Sequence, residues 1–294
     1  MSEAPARGGA SPAGVIHDIG YQRYAGPRLG RRYAVRSLYV HSLRTAFGLG
    51  RSAKAKIFPW LVVSLIGAVA AVLTAIRAQS GQMLVPYVDF PEAITVLVLL
   101  FCAVVGPELV SRDLRGGVLP LYFSRPLRRG DYALAKLAAL VTAVWLPLFG
   151  AQLLMFLGGA FSVDGLGAVW DEFGDFVPGV LYSGVHAVVF ASLALLIASL
   201  AGRRAVAAGA VVAVFLATTP VVGVLSALGT ETTRQLAALA SPMTLVGGVG
   251  DWLFVPPGAG TDPARFGPLY GGAAVALVTA CVILLLARYR RVAR

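Results

Sequence analysis

Apolar and polar positions along this chain sort into six long apolar runs separated by charged segments. A helix of roughly 20 apolar residues crosses a hydrocarbon core of about 30 Å, and the runs at 57–76, 87–110, 133–157, 177–200, 205–228 and 269–287 meet that length. The second is uninterrupted only from Ala93 to Pro107, so Asp89, Glu92 and Glu108 stand at its margins. Pro147 and Pro220 fall inside the third and fifth runs and are expected to kink them. Ahead of the first run, Val35, Leu38, Tyr39, Leu43 and Phe47 lie roughly on one helical face, with Arg32, Arg36 and Arg44 on the other. This is the pattern of a helix lying in the membrane plane at anionic headgroups, and it makes 31–56 an amphipathic interfacial segment. Residues 1–30, rich in Gly, Ala, Pro and Ser without apolar period, predict a flexible tail, and 288–294 a short basic one. The fold class that follows is an all-α polytopic membrane protein with one six-span domain over 57–287.

Between the second and third runs lies a charged island, Pro107 to Lys136, holding six Arg or Lys. Leu109, Val110, Leu114, Val118, Leu121 and Tyr122 recur in it at spacings of roughly three to four, which gives an interfacial or docked helix one apolar face. A loop that only reversed the chain has no need of them. Gly116, Gly117 and Pro120 interrupt the period, and Ser124 to Asp131 reads as a turn. The predicted shape is a short helix, a break, a second short helix and a turn into the third span.

Composition adds sidedness. The chain is 57% hydrophobic and 13% charged, with mean hydropathy +0.77 and formal charge +11. Placing both termini, the island and Arg203-Arg204 on one side collects 22 of the 25 Lys and Arg there, leaving Arg77, Arg234 and Arg265 opposite them. Nine of the 14 acids take the opposite side. Basic residues accumulate on cytoplasmic loops, so both termini are expected in the cytoplasm, and the charge needs no nucleic acid to explain it. Arg dominates over Lys and Ala and Gly abound, a bias of GC-rich bacterial genomes, which points to a bacterial cell membrane. The external segments are then 77–92, 157–176 and 229–268. The last is too apolar for a solvated loop and too broken for a span, so it either dips into the outer leaflet or packs over the outer helix ends.

Motifs exclude several functions. There is no G-x-x-x-x-G-K-[ST] and no H-E-x-x-H, and His17, His41 and His186 are too scattered for a metal site. Cys102 and Cys281, each inside an apolar run, read as packing residues. An intramembrane enzyme needs convergent carboxylates, histidines or a nucleophile at membrane depth, and the spans offer little beyond His186 and Glu108. A stand-alone secondary transporter usually shows two repeated halves, and no repeat joins 57–156 to 177–287. Small residues recur every four positions at Ala205, Gly209, Ala213 and Ala217, and at Gly272, Ala276 and Ala280. Such faces let helices approach closely, within a subunit or across a dimer seam.

The island resembles the segment after the second span in permease subunits of type-2 ATP-binding-cassette exporters. There an acid, Gly-Thr-Leu, Leu-Ser-x-Pro and a Lys entering the third span recur. Here Asp113, Gly117-Val118-Leu119, Phe123-Ser124-Arg125-Pro126 and Lys136 hold those places, with Val118 for Thr and Phe123 for Leu as departures. The six spans and Ser241-Pro242 ahead of the last agree with it. The resemblance implies a permease that forms a translocation path with a second permease subunit, as homodimer or heterodimer. It has no catalytic residue, metal or cofactor of its own; ATP and Mg sit on separate cytoplasmic ATPase subunits. The island is then the coupling element, through Glu108, Arg112, Asp113, Leu114, Val118, Leu121, Tyr122 and Arg125, with Glu108 expected to pair with Arg112 one turn on. Thr218, Thr219 and Pro220 are the candidate conduit residues: Pro220 frees a carbonyl and two hydroxyls add polarity. The alternative is that both threonines bond back to their own helix.

Overall fold

A computed structural model describes residues 26, 29–115, 122, 127–254 and 266–292, the side chains of Arg112, Leu114, Arg115 and Val292 excepted. All regular structure among these residues is helical. Helix α1 spans Arg31–Ala46, α2 Ala53–Ser80, α3 Phe90–Ala93, α4 Thr95–Arg115 and α5 Arg129–Ala160. Then come α6 at Leu166–Leu200, α7 at Arg204–Leu228, α8 at Glu231–Leu236 with a 3-10 turn at Ala237–Ala240, α9 at Pro242–Phe254 and α10 at Gly267–Val292.

Five of these, α2, α5, α6, α7 and α10, are long and apolar enough to cross a membrane. The fourth span, α6, is the centre of the bundle, with 61% of its most apolar stretch buried against α4, α5, α7 and α10. By contrast α7 is 11% buried, and α2 and α10 are 22% buried. Their outer faces, including Ile57 and Leu61, Val221 and Val224, and Ile283 and Leu284, stand exposed. Apolar surface of that extent is stable in lipid or against another chain and not in water. The molecule is therefore a multi-pass membrane protein.

Helix α1 packs along α5 instead of lying free. It buries Leu38, Ser42 and Ala46, positions four apart on one face, with Val35, Leu43 and Phe47 half-buried beside them. Tyr39 donates to Thr142 Oγ1 at 3.0 Å. The elbow into α2 turns at Gly48, where φ is +67° and a Cβ would stand 2.6 Å from the Ala55 carbonyl oxygen, so only glycine fits.

The second span differs from its expected form. It starts late, because Phe90 and Pro91 are buried in the separate short helix α3, and the apolar part of α4 is Thr95–Ser111. It also ends late: α4 continues through Pro107 to Arg115 without interruption. The span and the first part of the island are one continuous helix, and the break expected at Gly116, Gly117 and Pro120 lies outside the described residues. Pro107 is accommodated at the cost of one backbone hydrogen bond. The fourth helix begins eleven residues before the expected 177, roughly 16 Å earlier at 1.5 Å per residue. The added turns carry Asp171, Glu172 and Asp175 beyond the apolar run.

The long segment after α7 folds as a hairpin, with α8 and the 3-10 turn meeting α9 at a bend of 115°. Thr218 lies ten residues before the end of α7, roughly 15 Å along its axis, and its Oγ1 is 2.9 Å from Oγ of the buried Ser241 at the bend. The hairpin thus reaches well below the end of α7 before α9 returns along α10. Tyr182 of α6 holds it from within, through the Val246 carbonyl at 3.1 Å.

Candidate functional site

The charged residues gather at one end of the bundle, formed by α1, the last turns of α4, the first turn of α5, the start of α7 and the last turns of α10. Asp131 organises the entry to α5. It lies in the first turn and accepts from the Arg128 N–H at 3.1 Å, satisfying a donor that helix geometry leaves open. Arg31 of α1 forks onto the same carboxylate at 2.6 and 2.5 Å. That hydrogen bonding raises the Arg31 pKa further above its ordinary value, so the pair persists throughout the physiological pH range.

One and a half turns further along α5, Lys136 is buried, and its Nζ lies 2.9 Å from Oδ2 of Asp113 on α4. These two residues lie toward opposite ends of the island, and both are places that the resemblance singles out. Tyr132 donates to the same Asp113 oxygen at 2.6 Å, and the Lys136 ammonium lies 5.4 Å from the Tyr132 ring centre. Tyr122 stands 5.6 Å from the Tyr132 ring, and Tyr289 of α10 lies 5.1 Å from the same ring. Arg129 also donates to the Arg290 carbonyl at 3.0 Å. The island therefore leaves and re-enters the bundle at a polar clamp joining α4, α5 and α10. A buried ion pair held by an added hydrogen bond resists separation: removing one partner typically costs about 3–5 kcal/mol.

Glu108 forms a second clamp. Its side chain is 11% exposed and pairs with Arg51 of the elbow and with Arg204 of α7, the latter at 2.6 Å. One carboxylate thus ties the α1–α2 elbow to α4 and to the start of the fifth span. The expected partner was Arg112, whose side chain lies outside the described residues, as does that of Leu114. Val118, Leu121 and Arg125 are also outside them. Neither Arg51 nor Arg204 was singled out for this role, because a pair separated by 57 residues leaves no periodic signal in a sequence. Tyr132 and Tyr289 were missed for the same reason.

The conduit candidates are placed differently. Thr219 and Pro220 are exposed on the outer face of α7. Both threonines bond back to their own helix, Thr218 to the Phe215 carbonyl at 2.9 Å and Thr219 to the same atom at 3.4 Å. Within a single chain the pair serves its own helix, and Thr218 also anchors the hairpin. His186 is buried at the centre, stacked on Phe190 with centroids 4.2 Å apart and with Nε2 3.4 Å from Thr95 Oγ1. Cys102 and Cys281 are buried free thiols. Among the described residues no cluster of His, Cys, Asp or Glu is disposed to hold a metal ion.

A second polar network closes the opposite end. Arg77 of α2 makes two contacts with Glu172 of α6, at 2.6 and 2.5 Å. Tyr87 donates to the same carboxylate, and Gln152 of α5 donates to the Tyr87 carbonyl at 2.7 Å. The 82–89 connection sits so close to α6 that a Cβ on Gly179 would stand 2.5 Å from Tyr87 Cβ. Tyr182 donates to Glu92 at 2.6 Å.

A bundle of apolar spans with charged clamps at its ends defines a multi-pass membrane protein. Residues 32–253 match the family model described as ABC-2 family transporter protein. The match covers well over half the chain, and the protein belongs to that family. It is a membrane permease subunit of an ATP-binding-cassette exporter. No curated protein matches the chain at a significant level.

Proposed function

We propose that this permease pairs with a second permease, as a homodimer or a pseudo-symmetric heterodimer, and is driven by two separate cytoplasmic ATPase subunits that bind ATP and Mg. The chain lies in a bacterial cell membrane with its basic end, both termini included, in the cytoplasm. The ATPase docks on the island, where Leu114, Val118, Leu121 and Tyr122 supply apolar anchors, while Arg112, Asp113, Arg115 and Arg125 supply a polar rim. The path for substrate runs between the two permeases, along the exposed face of α7 that carries Thr219 and Pro220 and beside α4. Lipid covers the remaining outer faces.

The observation that carries the reading is the clamp beneath the island, Asp113 with Lys136 and Tyr132. A segment that takes force from a partner must pass it to the spans instead of flexing. Here α4 runs unbroken into the island, and the clamp binds its return to α5 and α10. ATP-driven closure of the ATPases then displaces α4 and α5 as levers. The test is the double variant Leu114→Asp with Tyr122→Ala, purified with its ATPase partner. Buried anchors dominate such contacts, each truncation costing on the order of 1–4 kcal/mol. The expected result is loss of ATPase co-purification, or loss of coupling between hydrolysis and transport, at unchanged permease abundance. Full transport with retained co-purification would sink the docking reading.

A further inference from the structure

Three arginines of α1, Arg32, Arg36 and Arg44, have no acidic partner among the described residues once the ion pairs of the basic end are made, and Arg32 and Arg36 line one groove. Arg31 is committed to Asp131 and Arg51 to Glu108. Arg32 and Arg36 are exposed. They lie one helical turn apart and, contrary to the opposite face expected from the sequence, share the side of α1 that presents Val35 and Tyr39. That side is one wall of a groove of about 1150 Å³, whose other wall is Leu134 and Ala138 of the third span. Leu134 is 47% exposed there.

We propose that this groove is a binding site for one anionic phospholipid, with the phosphate between Arg32 and Arg36 and an acyl chain along Leu134 and Ala138. Charge complementarity selects an anion, because the guanidinium forks match phosphate oxygens and the groove's single acid, Asp131, is already taken by Arg31. The apolar wall selects a lipid over free phosphate. Exposed Leu134 on a membrane-length helix gains from hydrocarbon contact and gains nothing from a small hydrated ion. Tyr33, on the same rim and 56% exposed, has the amphipathic ring that settles at headgroup depth. The site is preformed, since α1 is already seated on α5 through Leu38, Ser42 and the Tyr39–Thr142 bond. A lipid seated there would brace α1 against the third span. The proposal rests on the reading above only for the leaflet concerned, and it is measured on the permease without its ATPase, so the two fail separately.

The experiment is native mass spectrometry of the purified full-length permease, equilibrated with equal amounts of phosphatidylglycerol and phosphatidylcholine. Wild type should retain phosphatidylglycerol preferentially. A near-surface arginine is worth about fivefold in affinity for anionic lipid, so Arg32→Gln with Arg36→Gln should lower that preference by roughly 10- to 30-fold. Arg44→Gln, on the same helix but outside the groove, should leave it unchanged and also controls for folding. The proposal is overturned by any of four outcomes: no lipid preference in wild type, an equal loss in Arg44→Gln, an undiminished preference in the double variant, or displacement of the lipid by millimolar inorganic phosphate. A manyfold gain on removing residues 1–28 would also overturn it, by making the chain's own tail the occupant.

Discussion

At the scale of the residue, Lys136 carries the largest energetic stake, because it is a buried cation whose compensation comes from one carboxylate and one tyrosine ring. Lys136→Ala leaves Asp113 desolvated without its ion, a loss of about 3–5 kcal/mol. Replacing both partners by apolar residues of similar size removes both desolvation penalties and costs only the Tyr132 hydrogen bond to Asp113, so most of the loss is recovered. Thermal unfolding of the purified permease should therefore show a marked drop for Lys136→Ala and for Asp113→Ala, and recovery in Lys136→Met with Asp113→Leu. A double variant as unstable as the singles would show that the pair is not the stabilising contact. Glu108 makes a different prediction, since one carboxylate serves two arginines. Arg51→Ala and Arg204→Ala should be non-additive in a double-mutant cycle, with a coupling energy of roughly 0.5–3 kcal/mol. Strict additivity would mean that Glu108 does not join the two elements.

At the scale of the element, the periodic signals were readable and the non-periodic ones were not. Run length and apolarity located the cores of α2, α5, α6, α7 and α10, because membrane thickness imposes a length that any sequence must meet. On α1 the expected apolar face contained Leu38, but the buried face runs on through Ser42 and Ala46, small residues that carry no apolar signal of their own. Where helices extend beyond the hydrocarbon, that constraint lapses, and polar contacts decide instead. The early start of α6 accompanies the Arg77–Glu172 clasp, and the entry to α5 is set by Asp131. The continuity of α4 as far as Arg115 was not legible, because the apolar run that marks the span stops near Val110 and the helix continues through charged residues. Of the island residues assigned to coupling, Asp113 and Tyr122 were found at the clamp, whereas their partners Tyr132 and Tyr289 carry no mark of it in sequence. The hairpin between α7 and α10 gives the test at this scale. Thr218→Cys with Ser241→Cys, made in a background lacking Cys102 and Cys281, should cross-link readily under oxidation, since their hydroxyl oxygens lie 2.9 Å apart. Absence of a cross-link would place the bend at the helix ends instead of well below them.

At the scale of the whole molecule, the two ends of the bundle differ in charge, and that asymmetry makes orientation a physical prediction. The basic end gathers α1, the elbow and start of α2, the exit of α4, the entry of α5, Arg203-Arg204 and the end of α10, which together hold 17 of the 19 Lys and Arg among the described residues. Arg77 at the other end is neutralised by Glu172 within the fold, so it adds no orienting charge once the helices have packed. Translocating the basic end would mean carrying Arg32 and Arg36, which have no acidic partner among the described residues, through the hydrocarbon. Each such charge costs about 2.5–3.5 kcal/mol at the membrane centre on insertion scales. The opposite end, with Asp171, Glu172, Asp175 and Glu231, meets no such bias, because acidic residues contribute little to orientation. In the same cysteine-free background, Thr230→Cys should react with a membrane-impermeant maleimide added to intact cells. Arg128→Cys should react only after the membrane is opened. Labelling of Arg128→Cys from outside would invert the topology, and with it the placement of the ATPase partner.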